Sequence, residues 1–148
     1  MKYLPLFVAS IMLFSCSAKS NQPEIDDQLI KNYLESKQLT ATKDASGLYY
    51  ITTAVGTGAA PTATSTVEIK YKGSLINGTV FDQTATDKTA TFALSDLIKG
   101  WQIGIPLMKV GGKVTFYIPS GLGYGSSGIG SIPPNSVLIF DIELIRVK

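Results

Sequence analysis

The stretch Val67-Glu68-Ile69-Lys70-Tyr71-Lys72-Gly73-Ser74-Leu75-Ile76-Asn77-Gly78-Thr79-Val80-Phe81-Asp82 decides the fold class. Val67, Ile69 and Tyr71 alternate with Glu68, Lys70 and Lys72, and a two-residue period marks a strand with one buried face. Asn77-Gly78 sits between Leu75-Ile76 and Thr79-Val80-Phe81. Asparagine and glycine tolerate positive φ, so the pair predicts a tight hairpin and an antiparallel partner strand. The same alternation recurs downstream. Val114, Phe116 and Ile118 interleave with Lys113, Thr115 and Tyr117. Leu138, Phe140, Ile142 and Leu144 fall on one side of a last strand, with Ile139, Asp141 and Glu143 on the other. Leu48 to Thr52 reads as the first strand. A single helix fits between them, from about Lys99 to Leu107, with Pro106 in its last turn. Several antiparallel strands and one short helix make an α+β domain.

A second helix is predicted ahead of this domain. Ile25, Leu29 and Tyr33 repeat every four residues, with Ile30 and Leu34 beside them. Pro23 suits a first helical turn, and Glu24, Asp26 and Asp27 favour the positive end of the helix dipole. The helix is expected to end near Ser36 to Leu39. Its apolar stripe needs a cover. Packing on its own domain is the expectation, and a dimer contact is the other reading. The expected division is a leader over 1–15, a tether over 16–23, a helical extension over 24–46 and the main domain over 47–148.

The leader begins with Met1-Lys2 and continues as an apolar run from Tyr3 to Phe14. A run of about a dozen residues is too short to cross a bilayer as a helix. A basic start and a short apolar core form the secretory-signal pattern. Cys16, the one cysteine of the chain, follows Leu13-Phe14-Ser15, and this spacing resembles a bacterial lipoprotein cleavage box. The resemblance implies lipidation at Cys16; the plainer reading is an ordinary signal peptide followed by a cysteine that fell there. Ser17 after the cysteine does not resemble an inner-membrane retention signal, so the expected location is the outer membrane, facing the periplasm.

Composition removes several chemistries. No histidine is present, which excludes Ser-His-Asp and Cys-His catalysis and argues against zinc. A net charge of +2 and a single arginine, Arg146, give no basic stripe for nucleic acid. Gly123-Tyr124-Gly125-Ser126-Ser127-Gly128 matches G-x-G-x-x-G literally, with Asp141 downstream. A dinucleotide loop requires a helix after the glycines, and Ile129-Gly130-Ser131-Ile132-Pro133-Pro134 cannot form one. The glycines instead allow a loop to fold closely over a pocket.

Six short signatures remain, in this order: Tyr71-Lys72-Gly73, Phe81-Asp82, Leu97-Ile98-Lys99-Gly100-Trp101, Gly123-Tyr124-Gly125, Ile132-Pro133-Pro134 and Phe140-Asp141-Ile142-Glu143-Leu144. In this order they resemble the FKBP-type peptidyl-prolyl cis-trans isomerases, over roughly Gly47 to Lys148. The resemblance implies a curved antiparallel sheet wrapped around one short helix, with an apolar pocket between them. Trp101 is then the pocket floor, and Tyr71, Phe81, Leu97, Ile98, Ile132 and Phe140 are its walls. The Ile98 N–H and the Tyr124 hydroxyl are implied donors to ligand carbonyls, and Asp82 is the rim acid. An acid directly after a buried-type phenylalanine is poorly explained by packing; its plain alternative is a capping or turn residue.

The implied activity is rotation about X-Pro bonds in envelope proteins, with no metal, cofactor or nucleophile. Implied partners are proline-containing polypeptides and, as inhibitors, macrolides, and a monomer is expected. A second function class is a chaperone or scaffold that keeps the fold to hold partners. Two stretches depart from the family pattern. Many relatives carry a further pocket aromatic where this chain has Ala90, and a proline near Thr89, so a more open wall is expected there. Ser126 to Ser131 is short and small, which bears on contacts with residues flanking the substrate proline.

Overall fold

The computed structural model describes residues 21–148; the leader, Cys16 and the tether as far as residue 20 lie outside the described residues. An N-terminal helix, α1 (Gln22–Ser36), is followed by seven strands among the described residues. These are β1 (Thr42–Lys43), β2 (Tyr49–Ala54), β3 (Thr66–Leu75), β4 (Val80–Gln83), β5 (Ala90–Ala93), β6 (Lys113–Ile118) and β7 (Leu138–Val147). A short helix, α2 (Lys99–Gly104), lies between β5 and β6 and tightens into a 3₁₀ turn at Ile105–Leu107. Pro106 falls in that turn and ends the helix, as expected.

All strand pairs are antiparallel, in the order β1-β2-β6-β7-β3-β4, with β5 also on β3. The two longest strands, β3 and β7, pair from Val67–Val147 to Leu75–Leu138. Register shifts at Glu68/Ile69, Gly73/Ser74 and Thr52/Ala54 mark irregularities that bend and twist the strands. The Asn77-Gly78 turn joins β3 to β4, with the Leu75 N–H bonded to the Thr79 carbonyl at 2.9 Å. Gly78 takes the positive φ, +90°, while the Asn77 side chain accepts the Thr79 N–H at 3.0 Å.

One face of the sheet packs on α2. Val67, Ile69, Val114, Phe116, Ile118, Leu138, Phe140, Ile142 and Leu144 form a core with Leu94, Trp101 and Ile105. Glycines bring α2 this close: a Cβ on Gly100 would lie 2.6 Å from Ile118, and one on Gly104 would lie 2.5 Å from the Phe116 ring.

A second, smaller core lies under α1. Ile30 and Leu34 pack with Tyr49, Tyr117, Val137 and Ile139. The helix therefore covers its own domain, but with only part of the expected stripe. Asp26, Ile30 and Leu34 form the buried ridge, while Ile25 and Leu29 are exposed. Tyr117 and Ile139, on the polar-alternating side of their strands, are buried because α1 covers them.

Two boundaries differ from the sequence reading. Gln22 and Pro23, assigned to the tether, form the first helical turn, where proline's missing N–H costs nothing. Thr42–Lys43, inside the expected helical extension, pairs with Tyr49–Tyr50 as a hairpin. Asp44 builds the turn by accepting the Ser46 N–H at 2.8 Å and the Leu48 N–H at 3.1 Å.

Candidate functional site

Trp101 sits on the first turn of α2 and is 4% exposed. Three rings meet it nearly edge-on: Phe140 at 4.9 Å and 83°, Tyr71 at 5.4 Å and 76°, and Phe92 at 6.0 Å and 76° between centroids and planes. Phe81 meets Phe140 at 5.5 Å and 82°. Edge-to-face packing sets positive ring edges against negative faces, so the rings hold one another at fixed angles. Above them is a cavity of about 440 Å³.

Nine residues singled out from the sequence line this cavity: Tyr71, Phe81, Asp82, Leu97, Ile98, Trp101, Tyr124, Ile132 and Phe140. Cys16 lies outside the described residues. The structure adds Phe92, Asp96 and the tip of the loop, Ile129 to Ser131. Phe92 is the aromatic that the sequence reading missed. It stands two residues after Ala90 on β5, and its ring lies 6.0 Å from that of Tyr71. The expected gap beside Ala90 therefore has a ring next to it.

The irregularity in β4 explains how neighbours Phe81 and Asp82 both reach the cavity. In a regular strand they would point to opposite faces. Here Asp82 pairs with Gly73 and Val80 with Ser74, which leaves Phe81 as the extra residue. A bulge of this kind re-aims side chains. Asp82, exposed at the rim, accepts the Tyr71 hydroxyl at 2.6 Å. That length is typical of a charge-assisted O–H···O⁻ bond.

Burial is the main reason the Tyr71 phenol is pushed up to about 12, with the Asp82 bond adding to it. The Tyr124 phenol is also raised, again through burial first and then the nearby Asp82 charge. Both phenols thus stay protonated far above neutral pH, and the Tyr71 hydroxyl donates to Asp82.

Ile98 occupies the N-cap position of α2 with extended ψ, 151°, and no side-chain cap. Its carbonyl accepts the Trp101 N–H at 3.0 Å and the Gln102 N–H at 3.1 Å. Gln102 in turn donates to the Leu97 carbonyl at 2.6 Å and the Ser95 carbonyl at 3.1 Å, fixing the approach to the helix. No signature in the sequence pointed to Gln102.

The glycine-rich loop makes no dinucleotide site. Residues 123–127 form turns and no helix follows Gly128. Instead Ile129 and Ile132 exchange backbone hydrogen bonds at 3.0 and 2.8 Å around Gly130, whose φ is +53°. Among the described residues, no group of His, Cys, Asp and Glu is arranged to hold a metal ion.

A larger concavity, about 780 Å³, lies between α1 and the 3₁₀ turn at Ser120–Leu122. It shares no lining residue with the aromatic cavity and contains none of its rings. The larger concavity is lined mostly by polar residues and by no aromatic ring, whereas the smaller cavity combines aromatic walls with a few polar groups, the pattern of a ligand pocket.

A sequence model of the FKBP-type peptidyl-prolyl cis-trans isomerase domain matches residues 58–145. The chain belongs to this family. It is 42% identical over 132 residues to the FKBP-type peptidyl-prolyl cis-trans isomerase FkpA of Aeromonas hydrophila, covering 88% of this chain and 48% of that one. The chain spans about half the length of the relatives it matches in sequence. Among solved structures, FkpA from Escherichia coli superposes with a TM-score of 0.76 at 37% identity, over 86% of this chain and 62% of that one. A peptidyl-prolyl cis-trans isomerase from Pseudomonas syringae pv. tomato gives 0.73 at 32% identity, over 84% and 95%. The FKBP fold expected from the ordered signatures is thus the fold observed.

Proposed function

We propose that this chain is a peptidyl-prolyl cis-trans isomerase, acting on proline-containing polypeptides of the cell envelope without a cofactor or covalent intermediate. The observation that supports it is the aromatic cage over Trp101 with the Tyr71–Asp82 pair at its rim. Rotation about X-Pro faces a barrier of about 18–20 kcal/mol because the amide is a partial double bond. No bond needs to break. The cage takes the proline ring out of water and removes solvent hydrogen bonds that favour the charge-separated planar amide. A pocket that fits the twisted amide better than either planar form lowers the barrier.

In this reading Trp101 is the floor, Tyr71, Phe81 and Phe140 are catalytic walls, and Leu97 and Ile132 hold the substrate. Phe92 joins the walls. The Ile98 N–H and the Tyr124 hydroxyl donate to substrate carbonyls, and Asp82 orients Tyr71. Macrolides of the kind that inhibit this family compete for the same cage. The protein works as a monomer, α1 being occupied in covering its own sheet. Cys16 carries the lipid and residues 17–21 tether the domain to the outer membrane, facing the periplasm.

The test is cis-to-trans isomerisation of a short X-Pro peptide by protein starting after Cys16, with and without a macrolide. Acceleration abolished by the macrolide is expected. Well-folded protein that gives no acceleration would turn the reading to a chaperone or scaffold built on the same fold.

A further inference from the structure

We propose that Asp26, on the N-terminal helix, is a positioning residue for Tyr124 and acts through Ser120. The inference rests on the assignment of Tyr124 to the isomerase site. Asp26 and Ser120 are the buried polar residues among the described residues, 1% and 2% exposed, and they lie 94 positions apart. One carboxylate oxygen, Asp26 Oδ2, accepts both Ser120 donors: the N–H at 2.8 Å and the hydroxyl at 2.6 Å. The other oxygen accepts Gln22 Nε2 at 2.8 Å. The Ser120 carbonyl then accepts the N–H of Gly123 at 3.0 Å and of Gly125 at 2.8 Å, the two residues that flank Tyr124. A chain of short hydrogen bonds therefore runs from α1 to both sides of a pocket residue.

Two features make this more than incidental packing. Burying a carboxylate is a poor route to stability compared with apolar packing, but it can specify one arrangement. The loop it reaches needs specifying, since glycines at 121, 123, 125, 128 and 130 leave its backbone free. The 780 Å³ concavity also opens between the helix and this loop, lined by Gln22, Asp26, Ser120, Leu122 and Gly125. On its other side the loop packs on the main core through Leu122 and Tyr124; on the α1 side the hydrogen bonds of Asp26 hold its backbone.

The N-terminal extension thereby becomes part of the isomerase machinery. With Asp26 removed, Ser120 keeps two buried donors without an acceptor. The turn relaxes toward water, and Tyr124 loses its fixed place over the cage.

The experiment compares full-length wild type, Asp26→Ala and Asp26→Asn. Amide hydrogen exchange is read first, because it does not depend on activity. In Asp26→Ala the Gly123 and Gly125 amides should exchange at least about tenfold faster, while amides of the β3–β7 ladder keep their wild-type rates. Asp26→Asn should restore slow exchange, since an amide oxygen can accept both Ser120 donors. Unchanged exchange at Gly123 and Gly125 in Asp26→Ala would overturn the link.

Isomerase kcat/KM is read second, in Tyr124 and Tyr124→Phe backgrounds. Asp26→Ala should lower it about threefold or more when Tyr124 is present and leave it unchanged in Tyr124→Phe. Equal losses in both backgrounds would overturn the role through Tyr124. A wild type with no isomerase activity would remove the functional reading, and the exchange result would still decide whether Asp26 orders the loop. Should Asp26→Ala fail to fold, Ser120→Ala removes the hydroxyl donor alone. It must then show the same pattern at smaller size for the proposal to stand.

Discussion

The Tyr71 hydroxyl donates to Asp82 Oδ2 across 2.6 Å, joining two strands at the mouth of the aromatic cavity. The pair holds the Tyr71 ring in place against Trp101 and Phe92. A hydrogen bond to a charged group contributes about 1.5–3 kcal/mol, and a tenfold rate change corresponds to about 1.4 kcal/mol. Asp82→Ala should therefore lower kcat/KM about tenfold or more. Tyr71→Phe keeps the ring but not the bond, and should lose less. Both residues are partly open to water, so the lost bond should lower the urea midpoint only modestly in both variants, by less than a buried bond of this kind would. Wild-type catalysis in Asp82→Ala would remove Asp82 from the site.

Burial of the Tyr71 phenol, with the bond to Asp82 adding to it, sets the alkaline behaviour. The folded chain holds the Tyr71 proton more tightly than the unfolded chain, about 12 against 10.0. Its stabilising effect is full below pH 10.0 and is lost as pH rises toward 12. Tyr117, pushed up to about 12 mainly by burial under α1, acts in the same direction. With no histidine in the chain, kcat/KM should vary less than about twofold between about pH 6 and about pH 9. A bell-shaped profile in that window would contradict a mechanism without general acid or base.

Gly73 carries the cavity from beneath. A Cβ there would lie 2.6 Å from ring atoms of both Phe81 and Phe140. Those rings are locked edge-on, so they cannot both give way. Gly73→Ala should cost about 1–3 kcal/mol by overpacking and should lower activity more than stability, because the displaced atoms are the walls themselves. Matched urea melts and peptide kinetics would separate the two effects. Unchanged kinetics would mean that the walls tolerate the shift.

Asp27 fastens α1 to the β1–β2 hairpin. It accepts from Lys31, Lys43 and the Tyr49 hydroxyl, and the lysine bonds hold its carboxyl well below the usual range. A depressed carboxyl stabilises the fold above its unfolded value of 3.8, and the effect is lost as pH falls below that value. Both lysines are about half exposed, so salt should weaken the contribution. Asp27→Asn should lower the urea midpoint near neutral pH, and the difference should shrink on acidification below 3.8 and in high salt. A gap that stays constant with pH would mean the bonds act as neutral contacts.

The parts legible in the sequence were those with local periodicity or a local motif. Alternation through Val67–Tyr71 and Val114–Ile118 marked β3 and β6, and Asn77-Gly78 marked the turn between β3 and β4. Nine cavity residues followed from short signatures kept in order. What stayed hidden depends on contacts between distant segments. Thr42–Lys43 is too short to show a period and exists because Tyr49–Tyr50 pairs with it. No signature assigned a role to Phe92, which joins the cavity because β5 pairs with β3. Its alternation with the exposed Thr91 was the one local signal available. Asp26 read as a helix-start acid, and nothing near it in sequence announces Ser120.

Trp101 and Phe92 both line the cavity but differ in how deeply they are buried. Trp101 is buried in the main core, so Trp101→Ala should cost about 3–5 kcal/mol as well as activity. Its Nε1 is buried without a partner, so Trp101→Phe removes a donor that makes no bond and should cost clearly less. Phe92 is half-buried and touches the cavity edge-on to both Trp101 and Tyr71. Phe92→Ala opens that wall where Ala90 offers no ring. It should lower kcat/KM several-fold, chiefly through KM, with a stability loss smaller than that of Trp101→Ala. Peptides with larger residues before proline should suffer least, since they can fill the space the ring vacates. A uniform loss across such peptides would place Phe92 in the scaffold and leave Ile129 at the rim to set the preference.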